Sequence, residues 1–220
     1  SAWGATPGRV RIWAKRQPRA RSAQWSPAPT ESRSACHCAR KGWNVQVLES
    51  IDVMVLGWMY GWRHPVLSAG MGIVTWLGSL VVLLPLSLAI AWQSEGGTHW
   101  RHRAFLPAAV IGAGVVAHAV KLAIDRERPD LFPSLVTMPA DASFPSAHAL
   151  QITAFVAGWL MASGAWRHVG QVIAGMLLVA VVGLSRLYLQ VHFPTDVLFG
   201  IVCGVLWVWL LHRLPVWRRV

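Results

Sequence analysis

The feature that most constrains this chain is a series of long apolar runs separated by short polar segments. Five of these runs have the length and composition of membrane-crossing helices, and they lie at 66–92, 104–124, 146–165, 169–187 and 195–214. About 20 apolar residues cross the hydrocarbon of a bilayer as a helix, and a spanning segment has to satisfy its own backbone hydrogen bonds. The runs therefore predict an all-α integral membrane bundle of about five transmembrane helices.

A shorter run precedes the first of these spans. Within residues 45–62, apolar side chains recur at helical spacing at Val47, Leu48, Ile51, Val55 and Met59. The run is too short and too polar to cross a bilayer, and an amphipathic pattern of this kind is typical of a helix lying at the membrane surface. We therefore expect an N-terminal interfacial helix that ends before Pro65.

The composition excludes an ordinary soluble domain. Hydrophobic residues make up 55% of the 220 residues and charged residues 13%, whereas a soluble domain carries about 25% charged residues. Three cysteines cannot build a disulfide framework, and we interpret Cys36-His37-Cys38 as a chance cluster because no second half of a metal site accompanies it. We expect neither a metal nor a cofactor.

The net charge of +11 belongs mainly to the N-terminus. Residues 1–44 hold nine of the 20 Lys and Arg residues and one acid, Glu31. They show no apolar periodicity and lack the core of a signal peptide, so we expect a disordered basic tail. The segment contains no Met, so we also consider that the chain is a fragment or that its first residues come from a misplaced start. A Trp- and Arg-rich tail is compatible with nucleic-acid binding, but we do not expect that partner.

The expected organisation is thus a tail over 1–44, a membrane domain over 45–214 and a basic C-terminal tail over 215–220. The sequence leaves the oligomeric state open.

Three polar clusters interrupt the apolar part of the chain, at Lys121–Pro129, Phe144–His148 and Ser185–Asp196. Polar groups within membrane segments are costly and usually functional. Each crossing reverses the direction of the chain, so the end of the second span, the start of the third, the end of the fourth and the start of the fifth lie on one side. The threading therefore predicts that the clusters meet at one membrane face.

The arginines outside these clusters indicate the orientation. The opposite face receives Arg101, Arg103, Arg167, Arg213, Arg218 and Arg219, and an excess of Arg marks the cytoplasmic side. The clusters would then face the periplasm or exterior. Five spans also place the basic N-terminal tail on that outer face, so we expect either a missing upstream span or a non-native tail.

In the first cluster, Lys121 and Arg128 are two helical turns apart. A point charge beside a planar guanidinium suits a phosphate dianion. The alternative is a pair of cations whose long side chains carry the charged groups to the membrane–water interface. We expect Arg126 to be such an interfacial cation, with Asp125 and Glu127 as salt-bridge partners or solvated groups.

In the second cluster, Ser146 and His148 open an apolar helix whose free N–H groups can bind an anion. The alternative is an ordinary helix cap beside an incidental histidine. In the third cluster, Arg186 precedes His192 and Asp196, which are four residues apart. A carboxylate bonded to one imidazole nitrogen leaves the other free to attack, although a structural His–Asp pair would show the same spacing.

Taken together, Lys121-x6-Arg128-Pro129, Pro145-Ser146-x-His148 and Ser185-Arg186-x5-His192-x3-Asp196 resemble the three-part signature of the type 2 phosphatidic acid phosphatase superfamily. That superfamily contains membrane lipid phosphatases and the soluble vanadium haloperoxidases. The resemblance covers roughly residues 47–212 and is greatest to the bacterial membrane branch. It implies an inner-membrane phosphatase that hydrolyses a lipid phosphate or pyrophosphate monoester through a phosphohistidine.

The resemblance also implies residue roles. His192 would be the nucleophile, Asp196 would orient it, and His148 would protonate the leaving group. The phosphoryl oxygens would be bound by Lys121, Arg128, Ser146, the amide of Ala147 and Arg186. The chain departs from the family at Ala147, where Gly is usual.

Two alternatives remain open at this point. One is a lipid phosphotransferase of the same fold, and the other is a catalytically weakened lipid-binding membrane protein. A vanadium-dependent peroxidase is disfavoured because those relatives are soluble. The sequence does not choose among phosphatidic acid, phosphatidylglycerol phosphate, undecaprenyl pyrophosphate and lipid A.

Overall fold

The computed structural model describes residues 43–93 and 100–217, without the side chains of 43–46 and 102. Every regular element in this part is helical, which confirms the all-α prediction. Seven α-helices follow one another: α1 Trp43–Gly61, α2 Pro65–Val74, α3 Leu80–Gln93, α4 Trp100–Ile124, α5 Ala147–Ala162, α6 Val169–Tyr188 and α7 Pro194–Arg213. The predictions for the basic tail and for Cys36-His37-Cys38 fall on residues outside the described part, as do Arg218 and Arg219.

Within residues 43–93 and 100–217, three helices are long and apolar enough to cross a membrane: Arg103–Ile124 within α4, α6 and α7. The pair α2 and α3 adds a fourth span if the two bent pieces count as one. The predicted span at 146–165 corresponds to α5, which has 16 residues and is shorter than the roughly 20 that a bilayer requires. The predicted interfacial segment 45–62 is a helix, α1.

The short helix α5 forms the centre of the bundle. It packs against α4, α6 and α7, and all of its residues from Ala149 to Val156 are buried. Leu150 joins a core with Phe105 and Val208, while Ile152 joins a second core with Val182. Because lipid tails are as apolar as these side chains, α5 is held mainly by van der Waals packing against its neighbouring helices.

The outer faces of the long helices are apolar. Large hydrophobic side chains are about half exposed along α6 and α7, among them Ile173, Leu177, Leu198, Val202 and Leu206. Several charged and polar side chains are buried instead, among them Lys121, Ser146, Arg186, His192 and Asp196. Apolar groups outside and ionisable groups inside are what a bundle facing lipid requires.

The predicted continuous helix at 66–92 is wrong in its middle. The chain passes through a 3-10 turn at Thr75–Gly78, and α2 and α3 meet there at 51°. A Cβ on Gly78 would lie 2.7 Å from a Val182 methyl and 3.0 Å from the Cβ of His148. The turn therefore brings bare backbone against the start of α5, which a straight helix carrying larger side chains could not do.

The start of α7 also lies close to the start of α5. A Cβ on Gly200 would lie 2.7 Å from the carbonyl oxygen of Ser146, so only glycine permits this approach. The amide of Ser146 donates to the carbonyl oxygen of Asp196 at 3.1 Å. The first turns of the two helices are thus fixed to each other.

Candidate active site

Four helix ends converge at one end of the bundle, as the alternating threading predicted. Lys121 lies in the last turn of α4, Ser146 caps α5, Arg186 lies in the last turn of α6 and Asp196 lies in the first turn of α7. All four side chains are buried. The loop from α4 to α5 and the short connection from α6 to α7 supply Arg128 and His192 to the same place.

His192 is 2% exposed and lies between a carboxylate and a guanidinium. Its Nδ1 is 3.7 Å from Oδ2 of Asp196, and its Nε2 is 3.4 Å from Nη1 of Arg128. Burial, and after it the charges of Arg186 and Arg128, lower the pKa of His192 to about 4, while Asp196 acts in the opposite direction. The imidazole is therefore neutral at neutral pH, with Nε2 on the side of the cations.

Asp196 is fully buried, and three donors hold its carboxylate. Oδ2 accepts hydrogen bonds from Oγ of Ser143 at 2.5 Å and from the amide of Phe193 at 2.9 Å. Oδ1 accepts from Nη1 of Arg126 at 2.5 Å. The predicted orienting group is thus itself fixed, and it lies just beyond hydrogen-bonding distance of the imidazole.

Arg126 corrects one expectation, because it does not extend to the interface. Its guanidinium forms ion pairs with Asp52 at 3.0 Å and with Asp196, and it covers the ring of Phe193 at 4.2 Å. Asp52, from α1, also accepts from the amide and hydroxyl of Thr195 at 3.0 and 2.6 Å. The hydrogen-bonded group of Arg126, Asp52 and Thr195 connects α1 to the first turn of α7, close to His192.

Lys121 and Arg128 meet although they do not lie on one helix. The chain leaves α4 at Ile124, and Asp125 takes a positive φ of 46°, so Arg128 approaches from the following loop. Both cations contact one carboxylate, since Lys121 Nζ and Arg128 Nη2 each lie 2.6 Å from an oxygen of Asp141. Burial would raise the pKa of Asp141, but hydrogen bonds from these two cations and their charges lower it to about 2.

Among the buried donors without a partner in the described part of the structure, two belong to the proposed phosphate-binding residues. They are Oγ of Ser146 and Nε of Arg186, whereas Nη1 of Arg186 donates to Oγ1 of Thr75 at 2.6 Å. An unpaired buried donor costs about 1–3 kcal/mol. A bound anion that accepts hydrogen bonds from both groups would remove this cost.

His148 and Ala147 form the first turn of α5. His148 is half-buried. It lies close enough to Arg186, Lys121 and Arg128, and to His192, to interact with them electrostatically. The N–H of Ala147, the first residue of α5, has no partner within the helix. Among the described non-glycine residues, only Asp125 and Gln190 have positive φ, so the backbone at Ala147 does not require glycine.

Sequence reasoning missed the residues that support the site. Asp52 carried a detectable signal, because it and Glu49 are the two acids in a mostly apolar helix. Asp141, Ser143 and Thr75 carried none, since they come from a loop and a turn without periodicity. In the described part of the chain, no group of three or more His, Cys, Asp or Glu side chains is arranged to hold a metal ion.

Comparison with known proteins agrees with this geometry. Phosphatidylglycerophosphatase B of Bacillus subtilis is 34% identical over 154 residues, which are 66% of this chain and 73% of that protein. Decaprenylphosphoryl-5-phosphoribose phosphatase of Mycobacterium tuberculosis is 42% identical over 103 residues, 43% of this chain. The alignment covers 54% of that second protein, so the chain spans about half of its length.

A solved structure has the same architecture. It is the transmembrane PAP2-type phosphatidylglycerolphosphate phosphatase from Bacillus subtilis, which matches with a TM-score of 0.64 at 27% identity over 75% of this chain and 84% of its own. The prediction of an integral membrane helical bundle is thereby confirmed. The family model described as the PAP2 superfamily matches residues 104–219, more than half of the chain. The resemblance carried by the three polar clusters is therefore confirmed, and the chain belongs to the PAP2 superfamily.

Proposed function

We propose that this protein is a membrane phosphatase that hydrolyses a lipid phosphate or pyrophosphate monoester through a phosphohistidine on His192. One observation carries the proposal. The buried imidazole of His192 has its Nε2 beside the guanidinium of Arg128 and its Nδ1 facing the fixed carboxylate of Asp196. A neutral imidazole between a cation and a carboxylate is arranged to attack phosphorus with one nitrogen and to be stabilised at the other.

The phosphoryl group would be held by five donors. Lys121, Arg128 and Arg186 supply three positive charges, and the free hydroxyl of Ser146 and the N–H of Ala147 add two neutral donors. Phosphoryl transfer depends mainly on positioning and on stabilisation of charge. Three fixed cations can neutralise a phosphate dianion and the charge that builds up on its oxygens.

In the first step, the lone pair on Nε2 of His192 forms a bond to phosphorus. The bond from phosphorus to the lipid oxygen, or to the remaining phosphate of a pyrophosphate, breaks at the same time. His148 donates its proton to the departing oxygen. The positive charge that develops on the ring of His192 is stabilised by Asp196, whose own position is fixed by Arg126 and Ser143.

In the second step, water attacks the phosphorus of the phosphohistidine. His148, now neutral, accepts a proton from this water, and the bond from phosphorus to Nε2 breaks. The products are inorganic phosphate and neutral His192, with His148 protonated again. The cycle therefore balances in protons without any further group.

The substrate and the orientation belong to the same proposal. The named activities of the two relatives concern phosphorylated lipids, which supports a lipid phosphate as substrate. Exposed arginines lie at the end of the bundle away from the site, among them Arg101 and Arg167. This bias supports a bacterial inner-membrane location in which the site faces the periplasm or exterior.

A phosphate-release assay on the detergent-solubilised protein tests the proposal. The panel contains phosphatidic acid, phosphatidylglycerol phosphate, undecaprenyl pyrophosphate and lipid A, and the matched controls are His192→Ala and Arg167→Ala. We expect release from at least one lipid, near-complete loss in His192→Ala and full activity in Arg167→Ala. Release from none of them would contradict the proposal, and transfer to an added lipid or sugar in place of water would favour the phosphotransferase.

A further inference from the structure

The cation pair proposed to bind the phosphoryl group is already engaged by a carboxylate of the chain. Asp141 directs Oδ2 to Nζ of Lys121 and Oδ1 to Nη2 of Arg128, each at 2.6 Å. The two cations are only 7% and 8% exposed, whereas the side chain of Asp141 is 53% exposed. A half-exposed anion thus lies across two buried cations.

The arrangement of the two oxygens resembles that of a bound phosphoryl group. Each carboxylate oxygen accepts from a different cation, as two non-bridging phosphoryl oxygens would. Two buried positive charges without an anion would be costly. Asp141 removes that cost when no substrate is present, so it has the same electrostatic role in the free enzyme that a phosphate has in the complex.

The surroundings allow the carboxylate of Asp141 to move away from the two cations while the backbone of its loop stays in place. The backbone carbonyls of Asp141 and Ala142 hold the loop in place by accepting from Arg128 Nε and Lys121 Nζ at 2.9 and 2.7 Å. Beside the side chain lies a cleft of about 320 Å³, lined by residues 125–128 and 138–142. A rotation of one side chain toward this cleft would free both cations while the backbone contacts stay in place.

We propose that Asp141 is an internal competitor for the phosphate site. Its carboxylate occupies Lys121 and Arg128 in the free enzyme, yields to the substrate phosphate and returns to displace inorganic phosphate after hydrolysis. This inference rests on the proposed function of the same cations. Asp141 would then be a determinant of the affinity for substrate. A phosphate group with a charge of about −2 displaces the singly charged carboxylate more readily than a singly charged group does.

The size of the effect follows from the competition. Apparent affinity falls by the fraction of molecules in which the site is free. Two charge-assisted hydrogen bonds favour the occupied state, but solvent at the half-exposed carboxylate weakens them. If the two cations are free in about one tenth of the molecules, the apparent affinity for phosphate is roughly tenfold weaker than that of an unoccupied site.

The test measures binding of inorganic phosphate to the full chain in detergent, through the phosphate dependence of its melting temperature. The variant is Asp141→Asn, with Asp141→Ala as a second variant that removes the competing oxygens entirely. The matched control is Asp130→Asn, at an exposed aspartate of the same loop. We expect Asp141→Asn and Asp141→Ala to bind phosphate roughly tenfold more tightly, and Asp130→Asn to bind it as the unchanged protein does.

A second readout separates competition from a general effect of charge. Without phosphate, Asp141→Ala should melt at a lower temperature than the unchanged protein, because two buried cations lose their partner. At saturating phosphate the difference should vanish, since phosphate then replaces the carboxylate in both proteins. Unchanged affinity in both Asp141 variants, or an equal gain in Asp130→Asn, would overturn the inference and leave the proposed function standing. Absence of phosphate binding in every protein would overturn both.

Discussion

At the scale of single residues, the guanidinium of Arg126 is the connection on which the position of Asp196 depends. It bridges Asp52 and Asp196, two carboxylates that are otherwise almost completely buried. Loss of one partner from a buried ion pair costs about 3–5 kcal/mol because the remaining charge stays uncompensated. Arg126 acts on His192 only through Asp196, so it is a positioning residue.

Arg126→Ala should therefore reduce kcat at least tenfold, because the carboxylate behind His192 is no longer held. KM should change little, since the Arg126 side chain donates to Asp52, Thr195 and Asp196 and not to a residue proposed to hold the phosphoryl group. Because the side chain is 29% exposed, we expect a loss of stability of about 2 kcal/mol. The measurements are steady-state kinetics and thermal unfolding in detergent. Arg167→Ala, at an exposed arginine of the other bundle end, is the control.

The pKa of His192 gives a second prediction at this scale. An unfolded histidine titrates near 6.5, whereas folding lowers this pKa to about 4. Between these values the unfolded chain binds a proton that the folded protein does not, so stability declines as the pH falls from about 6.5 to about 4. The melting temperature should fall more over this range in the unchanged protein than in His192→Asn. Equal slopes would show that His192 is not held neutral.

Sequence reasoning reached the chemical groups but not their supports. Lys121, His192 and Asp196 could be proposed from the sequence because each is a polar residue within or beside an apolar run, where polar groups are costly. Arg126 was misplaced because spacing along a chain does not reveal a partner such as Asp52, which is 74 residues away. Asp141 lies in a loop whose path depends on its own contacts with Lys121 and Arg128.

At the scale of elements, the 3-10 turn between α2 and α3 brings bare backbone against the residues that begin α5. Gly78 faces both His148 and Val182 at distances that leave no room for a side chain. The turn also brings Thr75 to Arg186, so one irregular element touches two proposed site residues. The apolar pattern at 66–92 could not reveal this break, because the helices on both sides of the turn are apolar.

Gly78→Ala should push apart the turn and the start of α5. Introducing a methyl group into a packed contact costs about 1–3 kcal/mol, and the displacement of His148 should lower kcat as well. Gly72→Ala is the matched control on α2, because a Cβ there meets no atom within 4 Å. The control should keep full activity with equal or slightly higher stability. Similar behaviour of the two variants in activity and melting temperature would contradict the proposed packing role of the turn.

At the scale of the whole molecule, alternating helix directions explain how residues so far apart in sequence share one site. The ends of α4 and α6 and the starts of α5 and α7 lie together because each helix reverses the preceding one. This part of the fold was predictable, since the number and order of apolar runs determine it. The short length of α5 was not, because burial by neighbouring helices can replace contact with lipid along a central helix.

The orientation in the membrane is a prediction at the same scale. The proposed site is at one end of the bundle, and α7 carries His212 and Arg213 in its last turn at the other end. We expect a reporter fused after Val220 to be active in the cytoplasm and inactive in the periplasm. The control is the same reporter inserted in the loop 125–146, where the pattern should be reversed. A C-terminal reporter active only in the periplasm would place the site inside the cell.

The most direct measurement of the central claim is the trapping of phosphohistidine with a labelled lipid substrate and a rapid, acid-free quench. The unchanged protein, His148→Ala and His192→Ala are compared under the same conditions. If His192 is the nucleophile and His148 the general acid, the label should be found on His192 in the first two proteins and be absent from His192→Ala. Loss of general acid help should slow formation of the label in His148→Ala by about 10²–10⁴-fold. Label present in His192→Ala and absent from His148→Ala would contradict the account.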